Sequence, residues 1–153
     1  MITNFKQFNE NLLVPRNLEG RNEKLKQINI KLLSQEVIDD NLELDESFMD
    51  IDPKFVKLKK INGTVTLTGN HWTEIPEWLK DVKISGIFDC SDNKLTTLKN
   101  CPQDIGGSFW CAFNKLTSLE GCPKILKKSI HCFDNKVKLK LPDYVDLRGN
   151  IYN

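Results

Sequence analysis

Residues 86–102 return almost unchanged 21 positions later as residues 107–123, and that self-similarity leaves few folds open. Asn93, Leu95, Leu98, Cys101 and Pro102 reappear as Asn114, Leu116, Leu119, Cys122 and Pro123, and Asn135 lies a further 21 along. A unit this short cannot bury an apolar face by itself and does so only by stacking on copies of itself, so the chain is expected to coil as a solenoid.

Read in columns, the coils share a core. Five residues before each asparagine stand Val65, Phe88, Phe109, Ile130 and Val145, and three before it stand Leu67, Cys90, Cys111, Cys132 and Leu147, with asparagines at 70, 93, 114, 135 and 150. Two apolar columns separated by one residue are the pattern of a strand whose alternate side chains face inward. Further apolar columns lie nine before the asparagine (Ile61, Ile84, Ile105, Leu126), two after it (Trp72, Leu95, Leu116, Val137) and five after it (Ile75, Leu98, Leu119). The asparagine column is expected to be structural: an inward amide both donates to and accepts from backbone where the coil turns away from the strand. Gly106-Gly107 reads as a tight coil corner.

The N-terminal part differs. Phe5, Phe8 and Leu12 have helical spacing behind Thr3 or Asn4, and residues 17–38 read as a second helix with Leu25, Ile28 and Leu32 on one face. Between Glu36 and Asp52 stand eight acidic residues and no Lys or Arg, which reads as a solvated connector or a docking tail for a basic partner. The organisation expected is therefore a helical N-terminal arm that caps the first coil, with an acidic connector, over 1–55 and a solenoid of about four coils over 56–153. Trp72, Ile75 and Trp78 are expected to cover the open end of the first coil, and the last strand, 145–148, to be an exposed edge able to pair with a second copy.

Net charge is +1, so nothing global demands a nucleic acid or a membrane surface. There is no apolar run long enough to span a bilayer and no secretory leader pattern, so a cytoplasmic protein is expected. All five cysteines sit in repeat columns, which suits small buried hydrophobes in a reducing compartment better than a disulfide framework. Cys90, Cys111 and Cys132, one coil apart, would stack at roughly 4.8 Å per step, too far for all three to share one zinc, and no metal or cofactor is expected.

The unit Asn-Lys-Leu-Thr-x-Leu, followed by a proline and an apolar strand, resembles the leucine-rich repeats of bacterial effector proteins over about residues 61–150. Cysteine replaces leucine in the strand, and the early apolar column lies one residue further from the asparagine than in that family. The opening Asn-Phe-Lys-Gln-Phe-Asn-Glu is similar to the start of many small proteins of large tailed phages. These resemblances imply an α+β chain, a short leucine-rich-repeat solenoid of parallel strands with a helical N-terminal arm. They also imply a phage protein that acts in the host cytoplasm by binding a host protein.

In such a solenoid the residues between the inward columns face outward. By register these are Thr66, Asp89, Trp110, His131 and Asp146 in one row and Thr68, Ser91, Ala112, Phe133 and Arg148 in the next. Trp110, Phe133 and His131 among polar residues have the make-up of a protein-binding hot spot, although neighbouring Trp110 and His131 would equally serve as a stabilising cross-strand stack. Phe113 either extends this patch or turns under the loop. The alternative site is the row Lys94, Lys115 and Lys136, which would contact phosphates of a nucleic acid. A third reading makes the arm a packaging address for a phage head, cleaved at Leu44-Asp45-Glu46. Catalysis finds no support: Asp89 and Ser91 point away from Cys90, and neither histidine has an evident nucleophile or base partner.

Overall fold

The computed structural model describes residues 18–136 and 138–153, so the expected helix around Phe5, Phe8 and Leu12 and the column residue Val137 lie outside the described residues. The rest is a parallel β-solenoid preceded by one helix, α1 (Leu18–Leu33). Each coil contributes two short strands. The first strands are β1 (Val37–Ile38), β3 (Lys60–Ile61), β5 (Lys83–Ile84), β7 (Asp104–Ile105), β9 (Ile125–Leu126) and β11 (Asp146–Leu147). They pair in that order into one six-stranded sheet. The second strands are β2 (Leu42–Leu44), β4 (Val65–Leu67), β6 (Phe88–Asp89), β8 (Phe109–Trp110), β10 (Ile130–His131) and β12 (Ile151–Tyr152), and they form a second six-stranded sheet.

The columns read from the sequence are the core. Val65, Phe88, Phe109 and Ile130 are fully buried and stacked in register, with the Phe88 and Phe109 rings 5.8 Å apart and parallel within 3°. Behind them Ile61, Ile84, Ile105 and Leu126 form the matching row of the other sheet. Leu95, Leu98, Leu116 and Leu119 close the third side of each coil.

Three expectations need correction. The acidic stretch is the first coil, in place of a solvated connector: Leu42 and Leu44 pair with Val65 and Leu67 and are as buried as any core residue. Its carboxylates line the outside of an ordered rung, so the solenoid begins at Val37 and runs for five turns between the first and last rungs. Leu44 being enclosed in β2, cleavage at 44–46 would open the first coil.

Secondly, α1 stops at Leu33 instead of running to 38, and it, not Trp72, Ile75 and Trp78, lies over the open end of the core. Leu33 enters the core, and Asn29 Nδ2 donates to Ser47 Oγ at 2.7 Å. Trp72, Ile75 and Trp78 are therefore interior to the second coil.

Thirdly, residues 145–148 do not continue the Val65 column. Asp146 and Leu147 pair with Ile125 and Leu126 in the first sheet, and Ile151 and Tyr152 pair with Ile130 and His131 in the second. Asn150 precedes that strand and is exposed, so it stands outside the asparagine column.

Gly107 holds its place for a reason other than a tight turn. A Cβ there would lie 2.6 Å from the Gly86 carbonyl oxygen, and one on Gly86 would meet the Gly63 carbonyl at the same distance. Between the two sheets the coils stack backbone on backbone, with the Gly107 N–H donating to Gly86 O at 2.8 Å, and no side chain fits between them.

The five thiols are free and buried. Burial pushes the Cys90, Cys101 and Cys111 thiols far up, Cys122 to about 12 and Cys132 to about 11, so all remain protonated at neutral pH. Among the described residues no cluster of metal-ligating side chains forms and no helix is long and apolar enough to cross a membrane.

Candidate functional site

The asparagine ladder decides what the outer face looks like, because it fixes the register of each coil on the last. Asn114 Nδ2 donates to Cys90 O of the preceding coil at 2.9 Å, and to Cys111 O and Ala112 O of its own at 3.4 and 3.1 Å. Its Oδ1 accepts the Leu95 N–H at 2.9 Å. Asn93 and Asn135 repeat this set one coil either side, through Leu67 O and Trp72 N, and through Cys111 O and Leu116 N. Asn70 does not join them: it is exposed, with left-handed backbone at φ 57°.

With register fixed, the residue after the inward Phe88 column falls into one outward row: Glu43, Thr66, Asp89, Trp110, His131 and Tyr152. Trp110 and His131 stack at 3.9 Å between ring centroids, and His131 stacks on Tyr152 at 4.5 Å, both within 13° of parallel. The sequence reading missed Tyr152, although it is His131 plus one period. Asp146 and Arg148, which that reading placed in these rows, belong to the first sheet and pair with each other there at 3.4 Å.

The stack covers the imidazole faces, and this burial lowers the His131 pKa despite the Asp89 carboxylate, which draws it upward. His131 is thus neutral at pH 7. Asp89 is held on the face by accepting the Ser91 N–H at 2.9 Å.

Phe133 lies two residues beyond His131, half-buried, and Phe113 meets it edge-on at 5.2 Å. Phe113 thus extends the patch. It does so under strain: its φ is 51°, in a column otherwise filled by Asp92 and Asp134 at 54° and 52°, where a short carboxylate side chain tolerates the left-handed region better than an aromatic one. It is also 47% exposed, so no burial in the structure compensates for that strain. Ala112, expected in the outward row with Phe133, is instead buried.

Lys94, Lys115 and Lys136 do form a row on the rim, exposed and without ion pairs among the described residues. They follow the asparagines, beyond the edge of the aromatic face. His71 is not near it: its Nδ1 lies 2.7 Å from Gly69 O and its ring stacks on Trp72.

The chain matches no protein-family model, and neither a curated protein nor a solved structure shows detectable similarity to it.

Proposed function

We propose that this is a leucine-rich-repeat protein that binds another protein through the outward face of its second sheet and performs no chemistry of its own. The observation that carries the reading is Phe113, a large aromatic kept exposed in a backbone conformation that disfavours it, beside Phe133 and the Trp110 stack. Backbone strain at an exposed residue, offset only by an edge contact with another half-exposed ring, is the kind of feature that gathers at sites of contact. Exposed aromatics grouped on a rigid sheet are the usual anchors of protein interfaces. The leucine-rich-repeat assignment rests on the column pattern together with the amide ladder that bridges successive coils. The opening residues, in their likeness to phage proteins, make a bacterial host protein the partner class and blocking or redirecting it the mode of action.

The test is capture from a bacterial lysate with the wild-type chain and with a Trp110→Ala, Phe133→Ala double variant. Circular dichroism is expected to be unchanged while the captured partner is lost. Capture unaltered by the double variant contradicts the reading.

The exposed lysine row, without ion pairs among the described residues, supports the runner-up, nucleic-acid binding along the rim. It requires affinity that falls steeply with salt and drops again when Lys94, Lys115 and Lys136 are all replaced by alanine.

A further inference from the structure

Charge is sorted between the two sheets, and the aromatic face received only one sign. The outward rows of the second sheet hold Glu43, Asp45, Asp89 and Asp92 toward the N-terminal end, and Asp134 beside Phe113, with no lysine or arginine in any of them. The first sheet is mixed: Lys60, Lys83, Lys127 and Arg148 lie on it with Asp104, held between Lys83 at 3.9 Å and Lys127 at 3.1 Å, and Asp146, paired with Arg148. In a chain of net charge +1, the second-sheet face is anionic.

We infer that the partner presents a cationic segment to this face, with arginine or lysine side chains set against the carboxylates and apolar ones against the rings. The inference rests on the interaction reading above and names the chemistry of its partner. Two juxtapositions favour it. Asp89 and Trp110 are register partners on adjacent strands. One Trp110 face is taken by His131. Asp89 is the neighbour on the opposite side of Trp110 from His131, so a guanidinium that pairs with Asp89 is brought beside the indole. Carboxylate and aromatic ring together make a better cation site than either does alone.

Phe113 repeats the arrangement, with Asp92 and Asp134 in its own column one coil to each side. The same face repels phosphate, so a polyanion is the wrong occupant for it. From the Glu43 strand to the Tyr152 strand there are five inter-strand steps, roughly 24 Å, which an extended segment of about seven residues spans.

The test uses fluorescence anisotropy with the full chain and three short labelled probes: a peptide alternating arginine and valine, the same peptide with glutamate for arginine, and oligo-dT. The cationic peptide is expected to bind, and the other two are not. Asp89→Asn with Asp92→Asn is expected to weaken the cationic peptide about tenfold or more, whereas Asp104→Asn with Asp146→Asn, on the other sheet, leaves it unchanged. Equal binding of the glutamate peptide or of oligo-dT overturns the inference, as does indifference to the Asp89 and Asp92 changes. If lysate capture is lost in the Trp110, Phe133 variant but kept when Asp89 and Asp92 are neutralised, the cationic partner is wrong and the interaction reading stands. If both variants keep it, both fall.

Discussion

Replacing Asn114 with alanine will lower the unfolding free energy by about 3 kcal/mol, read as a reduced urea midpoint with the slope unchanged. The amide makes four backbone contacts in a buried seam between coils, and alanine replaces none of them. The Leu95 N–H loses the acceptor Asn114 gave it, which alone costs about 1 to 3 kcal/mol when no water enters. Carbonyls with a second lone pair suffer less, and so the total stays well below the sum of four full bonds. Aspartate is the sharper variant, because it keeps the acceptor for Leu95 but turns the donor into a charge facing three carbonyl oxygens. Asn70, in the same sequence column but exposed and outside the ladder, sets the comparison: its alanine variant is expected to cost about 1 kcal/mol, from placing alanine at φ 57° and not from lost ladder bonds.

Replacing Phe113 with aspartate, the residue its column uses in the neighbouring coils, will leave stability nearly unchanged while binding falls. Removing a bulky side chain from φ 51° relieves on the order of 1 kcal/mol of backbone strain, and the exposed ring forfeits little burial. Its edge-on contact with Phe133 is worth about 0.5 to 1.5 kcal/mol, so the two effects nearly cancel and stability is expected to change by less than about 0.5 kcal/mol. Binding is expected to fall by about thirtyfold or more, the signature of a central aromatic anchor. Thermal unfolding and partner titration on the same preparation check both halves. A variant that is markedly less stable shows Phe113 to be structural, and one that binds normally removes it from the interface.

The coils were legible because their physics is periodic. Phe88, Phe109 and Ile130 must face inward for any coil to stack, and the asparagines mark where each strand ends. What escaped was whatever broke the ruler. Leu42-Glu43-Leu44 is a strand with the right alternation, but it lies 23 residues before Val65 and has no asparagine behind it, so its acidic neighbours made it look like connector. Tyr152 was hidden by Asn150, which imitates the ladder residue in sequence while sitting before its strand instead of after it. Counting a full period from Ile130 gives Ile151, and the aromatic row then closes itself. The two-sheet build of each coil was implicit in the Ile84 column, whose partners were read as core without being read as a second strand. The single sign of the second-sheet face became visible only with register in hand: Glu43 and Asp45 come from the acidic run, but Asp89, Asp92 and Asp134 stand among lysines in the sequence and join them only when the coils are stacked.

All of this depends on which residue lies beside which across the second sheet, and nuclear Overhauser contacts among the ring protons of Trp110, His131 and Tyr152 measure that directly. Centroid separations of 3.9 and 4.5 Å predict strong contacts from His131 to both neighbours. Contacts from His131 to Asp146 with none to Tyr152 would put a different strand at that position and undo both the register and the face built on it.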